Sequence, residues 1–212
     1  MRILVTAGPT REYFDSVRFI SNASSGKMGY AIATQAARRG HRVVLVSGPV
    51  ELPKPDGLDV IHVVSAREMF DVVTSLFPEC HAVVMTAAVC DYRPARSLGH
   101  KLKKQNRVRA IHLQPTQDVL THIGRIKGHR VVIGFAMEDH DHRAHAEAKL
   151  VRKRCDAIVL NGPENVAADR ATVEVLTGDG VWSPPMTGSK AQLADRLVGL
   201  TERLHRSRPA AG

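Results

Sequence analysis

Two loops of the chain carry side chains suited to binding a phosphorylated ligand. The first holds the segments GPTRE (8–12) and NASSGKMG (22–29), which are rich in small and polar residues. Small residues let the backbone approach a ligand closely, and an amide such as that of Asn22 can donate and accept hydrogen bonds without carrying charge. The second holds the basic segment KLKKQ (101–105). The ammonium group of a lysine is compact and mobile, so it can stabilise an anion whose charge moves during a reaction. Both loops indicate phosphate chemistry.

Two familiar nucleotide motifs are excluded by single positions. A Walker A loop would need glycine and a hydroxyl residue where Ser21 and Met28 stand. A dinucleotide fingerprint that begins at Gly8 would need glycines where Thr10 and Tyr13 stand. The tyrosine–lysine pair of short-chain reductases is also absent from the sequence. A nicotinamide-dependent reductase of similar fold therefore remains only as an alternative, which a titration with NADPH tests.

The charge of the chain favours a small polyanion as ligand. A formal net charge of +9 is typical of nucleic-acid-binding proteins. Aromatic residues make up only 4% of the chain, too few for an evident base-stacking platform. We expect a basic pocket and no nucleic-acid partner. A non-catalytic basic binding module remains the second alternative, and it would show salt-sensitive binding to nucleic acid.

Bulk features predict a soluble, cytoplasmic chain. No run approaches the roughly 18 to 20 apolar residues that a membrane span needs, and MRILVTAG lacks the apolar core of a secretory signal. Three widely spaced cysteines (Cys80, Cys90 and Cys155) fit neither a disulfide framework nor a paired zinc site. The length of 212 residues suits one domain. We expect that domain over 1–206 and a frayed tail at 207–212.

Alternating short apolar runs and helical patterns predict an α/β fold with a Rossmann-like, doubly wound, largely parallel sheet and helices on both faces. The predicted strands cover 2–7, 42–47, 59–64, 81–87, 111–113, 131–135 and 157–160. The predicted helices cover 27–39, 66–77, 118–126, 145–153 and 190–205. Beyond 165 the alternation at 172–176, the turn TGDG (177–180) and the segment 181–183 predict a C-terminal antiparallel extension.

The loops after the first and fourth predicted strands are the first places to look for a site, because ligands bind beyond the carboxyl ends of parallel strands. The first of these loops, about seventeen residues long, far exceeds the two to six residues usual in α/β units. We interpret this excess length as functional.

Six motifs, in this order, resemble the phosphopantothenoylcysteine synthetase family over residues 1 to about 204. They are TAGPTRE (6–12), VRFISNASSGKMG (17–29), LVSGPV (45–50), AAVCDYRP (87–94), KLKKQ (101–105) and GFAMED (134–139). In many bacteria the family's domain is the C-terminal half of a bifunctional protein with a flavin-dependent decarboxylase. We expect a stand-alone synthetase here, with a separate decarboxylase as a candidate partner.

The resemblance implies a ligase that joins 4′-phosphopantothenate to L-cysteine in coenzyme A biosynthesis. CTP, accompanied by Mg²⁺, would convert the carboxylate into an acyl-cytidylate with release of pyrophosphate, and the amine of cysteine would then displace CMP. The segments AAVCDYRP and KLKKQ resemble the bacterial, CTP-using form rather than the ATP-using one. The family also forms dimers, so we expect a homodimer, to which the segment after Asn165 could contribute. No protein ligand is assigned to Mg²⁺.

The resemblance also implies roles for individual residues. Catalytic roles fall to Asn22, in the cysteine step, and to Lys101, against the triphosphate. Nucleotide binding falls to Met85, Thr86, Ala87, Asp91, Lys101, Gln117, Asp118, Val119, Leu120, Phe135, Lys149 and Lys153. The substrate and phosphate loop consists of Gly8, Ser24, Ser25 and Gly26.

Each assignment has a structural alternative. Asn22 could cap a helix, Asp91 could cap a turn and Phe135 could be a core residue. The KLKKQ lysines could form a solvated face, and Lys149 and Lys153, four residues apart, could be a surface pair.

The chain departs from the family pattern in a few places. Met137, Glu138 and Asp139 stand where the family has Ala-Glu-Thr, and Cys90 replaces a common alanine, so the pocket wall could differ. His140, His142 and His145 have a spacing that could ligate a metal, but it does not place all three rings on one helix face. We interpret these histidines as an exposed surface cluster.

Overall fold

The computed structural model describes residues 1–137 and 140–208 as strands and helices in an alternating order. In chain order the strands are β1 (Arg2–Ala7), β2 (Arg11–Tyr13), β3 (Phe19–Ser21), β4 (Arg42–Ser47), β5 (Asp59–His62), β6 (Ala82–Met85), β7 (Tyr92–Pro94), β8 (Leu113–Pro115), β9 (Val131–Met137), β10 (Ala157–Asn161), β11 (Arg170–Thr177) and β12 (Met186–Ser189). The helices are α1 (Lys27–Arg38), α2 (Ala66–Leu76), α3 (Val119–Ile126), α4 (His142–Arg152) and α5 (Lys190–Arg206). None of the helices in this described part is long and apolar enough to cross a membrane.

An eight-stranded sheet with the order β12-β11-β10-β9-β6-β1-β4-β5 forms the centre of the molecule. The strands from β10 to β5 in this order are mutually parallel. Alternate residues of β1 face opposite sides: Ile3 and Val5 pack beneath α1 and α5, and Leu4 packs towards α2, α3 and α4. Both faces of the sheet are therefore covered, which confirms the predicted doubly wound fold and explains the continuous apolar runs.

The two segments whose structure is hardest to predict from the sequence form small antiparallel sheets outside the main one. The long first loop contains a hairpin in which β2 pairs with β3. The strand predicted at 111–113 is wrong as a member of the main sheet, because β8 begins at Leu113 and pairs with β7 instead. Three residues with only two apolar side chains, Ile111 and Leu113, are fewer than any strand of the main sheet contains; its shortest strands have four residues.

The C-terminal extension is antiparallel, as predicted, but its pairing differs in detail. β11 pairs with β10 on one side and β12 on the other. The segment predicted to pair with β11, 181–183, pairs through a bridge from Trp182 to Leu176 and through backbone hydrogen bonds of Val181 and Ser183, without forming a strand. A capping box between Ser189 and Gln192 starts α5. Of the predicted tail, residues 209–212 lie outside the described residues, and the domain limits remain a prediction.

Candidate functional site

Two adjoining cavities open at the carboxyl ends of β1, β6, β9 and β10. The first, here called the α1 cavity, has a volume of about 450 Å³ and borders the N-terminus of α1. The second, here called the α3 cavity, has a volume of about 540 Å³ and borders the N-terminus of α3. They share a wall formed by Ala87, Val89, Asp91, Phe135 and Lys149. A ligand in one cavity can therefore meet a ligand in the other at this wall.

The α3 cavity collects most of the residues predicted to bind the nucleotide. Its lining includes Met85, Ala87, Asp91, Gln117, Asp118, Val119, Leu120, Phe135, Lys149 and Lys153. These residues come from four separate parts of the chain, which only the folded sheet brings together. Thr86 lines the α1 cavity instead. The alternative of a surface pair for Lys149 and Lys153 is wrong, because both side chains line the cavity and are half-buried. Phe135 lines the cavity and also packs against the hydrophobic core, so its core alternative stays open.

An ion pair inside the α3 cavity holds one of its lysines in place. Lys153 donates from Nζ to the carboxylate of Asp118, and only 12% of its side chain is exposed. Asp118 is also the N-cap of α3, accepting from the backbone N–H of Thr121 at 2.9 Å. Burial alone would raise the pKa of the Asp118 carboxyl, but the bonds from Lys153 and Thr121 outweigh it and lower that pKa. Asp118 thus stays ionised and orients a cation.

The α1 cavity brings Asn22 to the loop that follows β6. The Nδ2 group of Asn22 donates to the backbone oxygen of Ala88 at 2.9 Å and lies 3.9 Å from the sulfur of Cys90. The side chain therefore bonds to the shared-wall loop, and the alternative of a helix cap is wrong. Burial raises the pKa of the Cys90 thiol, and the side chain lies outside the described lining of both cavities, so the change from alanine to cysteine does not alter the described wall.

The predicted phosphate loop forms the floor of the α1 cavity. Ser24, Ser25 and Gly26 line the cavity. Gly26 precedes α1 with φ at 74°, and no described side chain caps this helix start. Gly8 lies outside the described lining, but its carbonyl accepts from Ala88 N–H at 2.9 Å. Gly8 is thus bonded to the loop after β6, and its place in the phosphate loop stays a prediction.

The sequence missed a basic corner of the α1 cavity. Lys27 and Lys190 line it together with Asn161, Asn165 and Ala167. Lys190 begins α5, so the C-terminal extension reaches the same edge as the first loop. In the sequence Lys190 follows Ser189, which caps α5, so its neighbours indicate a helix start and give no sign of a ligand site.

Lys101 is exposed and lies outside the described lining of both cavities. Lys103 and Lys104 are exposed as well, so the alternative of a solvated basic face stays open. The segment is nevertheless fixed at Leu102. Its N–H donates to Oδ2 of Asp15 at 3.1 Å, and its carbonyl accepts from Nη2 of Arg18 at 2.7 Å. Asp15 and Arg18, which sequence reasoning also missed, thus form a clamp on the residue next to Lys101.

Asp15 is the centre of this clamp, and its carboxylate is fully buried. Burial alone would raise its pKa. Hydrogen bonds from the Arg18 guanidinium and from the N–H groups of Val17, Leu102 and Arg18 outweigh burial and hold the pKa of Asp15 well below its usual range. Asp15 is therefore an ionised carboxylate in the folded state.

The remaining departures lie around the start of α4. Met137 lines the α1 cavity, and Glu138 and Asp139 lie outside the described residues. α4 begins at His142, earlier than predicted. The rings of His140 and His145 are 5.1 Å apart, and their ligand atoms lie with that of Asp141 within 4.8 Å of one another. His140, His142 and His145 are all exposed, as predicted for a surface cluster, but the group with metal-binding distances contains Asp141 in place of His142.

Replacement of Asp15 tests the clamp. Asp15→Asn keeps the shape but loses the charge, so we expect the thermal midpoint at pH 7 to fall by roughly 4 °C or more. A lowered native pKa adds stability above the unfolded-state pKa of about 4 and loses it as pH falls further. The difference from wild type should therefore shrink in acid. Hydrogen exchange at the Leu102 amide should accelerate.

Asp71→Asn is the matched control. Asp71 pairs with Arg67 at 2.9 Å on an exposed helix surface, where an ion pair contributes little. Its loss should leave the thermal midpoint and the Leu102 exchange rate nearly unchanged. Equal effects of the two substitutions would show that Asp15 does not hold the segment.

Comparisons with known proteins identify the family of the chain. Residues 1–204 match the family described as the DNA/pantothenate metabolism flavoprotein C-terminal domain. The coenzyme A biosynthesis bifunctional protein CoaBC of Bacillus subtilis (strain 168) is 42% identical over 183 residues, which cover 84% of this chain and 45% of that protein. The CoaBC protein of Mycobacterium bovis is also 42% identical, over 93% of this chain and 51% of its own. The chain thus spans about half the length of these curated relatives.

Solved structures share the fold. The crystal structure of the C-terminal domain of a CoaBC protein has a TM-score of 0.82 and 36% identity, covering 97% of this chain and 95% of its own. A Cab2 variant in complex with phosphopantothenate-cysteine has a TM-score of 0.79 over 96% of this chain and 87% of its own, and at 14% identity it shows the fold alone. The resemblance seen in the motifs is confirmed, and the chain belongs to the DNA/pantothenate metabolism flavoprotein C-terminal domain family.

Proposed function

We propose that the protein is a phosphopantothenate–cysteine ligase. It condenses 4′-phosphopantothenate with L-cysteine through an acyl-cytidylate, and it uses CTP and releases CMP and pyrophosphate. The observation that carries this proposal is the pair of cavities that share the wall of Ala87, Asp91, Phe135 and Lys149. A reaction that joins a nucleotide to a carboxylate needs two binding spaces that meet at one point.

The α3 cavity suits the nucleotide. Met85, Val119 and Leu120 offer apolar surface for a base, and the N-terminus of α3 and Lys153 offer positive charge for phosphate. The preference for CTP over ATP rests on the bacterial pattern of the AAVCDYRP and KLKKQ segments. Gln117 supplies an amide with both a donor and an acceptor to the cavity.

The first step takes place at the shared wall. A carboxylate oxygen of phosphopantothenate attacks the α-phosphorus of CTP, the bond to the bridging oxygen breaks, and pyrophosphate leaves with the electron pair. Negative charge grows on the leaving group, so nearby cations lower the barrier. Lys149 reaches both cavities and is placed to stabilise this charge. Lys101 would join when its segment lies against the triphosphate.

The second step needs an uncharged group that orients the reactants, such as a side-chain amide. The amine of cysteine attacks the acyl carbon, CMP leaves, and the amine proton passes to solvent. Asn22 sits on the α1-cavity side of the wall, with its amide nitrogen fixed by the Ala88 carbonyl. A fixed amide can orient the acyl group or the amine without altering the charge of either.

Mg²⁺ fits a role as companion of the triphosphate, because it prefers oxygen ligands and retains several waters. Among the described residues, two carboxylates line the cavities. Asp118 is already engaged by Lys153, and Asp91 is exposed at the shared wall. Of the described carboxylates, we therefore propose Asp91 as a ligand of the ion, which would neutralise the pyrophosphate charge.

We also propose a cytoplasmic location and delivery of the product to a separate flavin-dependent decarboxylase. The product retains the carboxylate of cysteine, which is the group that such an enzyme removes. Release of CO₂ when a decarboxylase is added to the completed reaction would measure that coupling, and cell fractionation would measure the location.

Pyrophosphate release tests the proposed reaction. With Mg²⁺ and 4′-phosphopantothenate, we expect a single turnover of release without cysteine and continuous release with it, faster with CTP than with ATP. Lys101→Gln should lower the rate about 100-fold or more, the scale of losing one transition-state stabiliser. Asn22→Asp should lower the rate of formation of the cysteine adduct more than it lowers the single turnover of pyrophosphate release without cysteine.

The control variant is Lys54→Gln, which removes one charge from an exposed position outside both cavity linings and should retain wild-type rates. Two results would overturn the proposal: no pyrophosphate release with any nucleotide, or release that does not depend on phosphopantothenate. Salt-sensitive binding of nucleic acid in place of turnover would favour the basic binding module.

We further propose that the homodimer forms through the two small sheets rather than the C-terminal extension. β2 lies against β7, so the hairpin and its neighbour form one surface. Large apolar side chains are exposed on it: Tyr13, Val17, Phe19, Tyr92, Ile111 and Leu113. Clustered exposed apolar side chains mark interaction surfaces in soluble proteins.

Leu113→Asp tests this surface. Leu113 is 48% exposed, so a charge there should be tolerated by the monomer but should shift the mass in light scattering from dimer to monomer. Val181→Asp changes an apolar residue, 58% exposed, on the C-terminal extension and should leave the dimer intact. Dissociation by Val181→Asp alone would place the contact on the extension, and a monomeric wild type would contradict the proposal.

A further inference from the structure

The basic corner of the α1 cavity contains two lysines from opposite ends of the chain. Lys27 is the first residue of α1 and Lys190 is the first residue of α5. Both line the cavity, next to the loop of Ser24, Ser25 and Gly26. Lys27 belongs to the motif VRFISNASSGKMG but was assigned no role from the sequence, and Lys190 lies outside all six motifs.

The charges of this corner are only partly balanced by the contacts in the described part of the chain. Lys27 donates from Nζ to Oδ1 of Asp169 at 2.6 Å and to the carbonyl of Ala167 at 3.0 Å. Lys190 donates to the carbonyl of Asn165 at 3.2 Å. Two ammonium groups thus share one carboxylate, and 89% of that Asp169 side chain is exposed to water. An anion that entered the corner would meet a net positive charge.

The environment of Lys190 points the same way. Burial, followed by the like charge of Lys27, lowers the pKa of the Lys190 ammonium. Holding two cations together in a half-buried corner costs free energy, and a bound anion offsets that cost. The N-terminus of α1 adds N–H groups and the positive end of a helix dipole to the same corner.

We propose that Lys190, together with Lys27 and the first turn of α1, forms a subsite for a phosphoryl dianion. This inference rests on the proposed function, because two phosphoryl groups of that reaction share the chemistry required. One is the 4′-phosphate of phosphopantothenate, and the other is the pyrophosphate end of the triphosphate. Lys190 thereby gives the C-terminal extension a part in substrate binding.

The structural role of Lys190 is separated from its charge by the choice of variants. Lys190→Gln removes the charge and keeps a donor for the Asn165 carbonyl, whereas Lys190→Arg keeps the charge. Calorimetric titration with pyrophosphate and with inorganic phosphate measures anion binding without any turnover. We expect Lys190→Gln to weaken binding of at least one of them roughly tenfold or more, the loss expected from one charge-assisted hydrogen bond. Lys190→Arg and Lys54→Gln should bind nearly as wild type does.

Steady-state kinetics then identify the source of the phosphoryl group. If the subsite takes the 4′-phosphate, Lys190→Gln raises the KM for phosphopantothenate and has little effect with unphosphorylated pantothenate. If it takes the triphosphate, the KM for CTP and the inhibition constant of pyrophosphate rise instead. Unchanged anion binding in Lys190→Gln would overturn the subsite. Lysine-dependent anion binding in a protein without ligase activity would retain the subsite and reject the proposed function.

Discussion

The close contact of α1 with the ends of β1 and β6 at Gly29 is the constraint on which the site depends. A Cβ atom at Gly29 would lie 2.5 Å from both the Ala7 Cβ and the Thr86 Oγ1, and 2.9 Å from the Thr6 carbonyl oxygen. Only glycine permits this approach. It brings the first turn of α1 against the carboxyl edge of the sheet, so the cavity floor, the wall after β6 and the loop with Asn22 meet at one place.

Positive charge at this edge is held in prepared positions. Lys153 is paired with Asp118, Lys27 with Asp169, and Arg18 with a buried Asp15. Partners of this kind keep long cationic side chains ordered before a ligand arrives, which lowers the entropic cost of binding. The net charge of +9 is therefore consistent with a polyanion pocket in which several cations are held in position by carboxylates.

The sequence predicted those parts of the fold that local pattern determines. The bounds of β1 and β4 were predicted without error, because an apolar run between polar or glycine stops marks a buried parallel strand. Most predicted nucleotide residues meet in the α3 cavity, because the resemblance to the family assigned them together although they are distant in sequence. The pairing of β8 was not predictable from the short segment 111–113, because the partner strand β7 is determined by tertiary contacts.

The missed parts of the site depend on long-range contacts. Asp15 meets the N–H of Leu102, 87 positions further along the chain, and nothing near Asp15 in sequence indicates that partner. Lys190 reaches the α1 cavity only because α5 packs beside α1. Lys101, in contrast, was predicted from its motif, yet it lies away from both cavity linings, so its role still depends on the reaction itself.

The most direct test of the two-cavity account is a crystal structure of the protein with CTP and 4′-phosphopantothenate in the absence of cysteine. The account predicts the cytidine in the α3 cavity, near Asp118 and Leu120, and the pantothenoyl group in the α1 cavity, with the acyl–phosphate linkage at Lys149. A nucleotide base in the α1 cavity, or both ligands within one cavity, would contradict it.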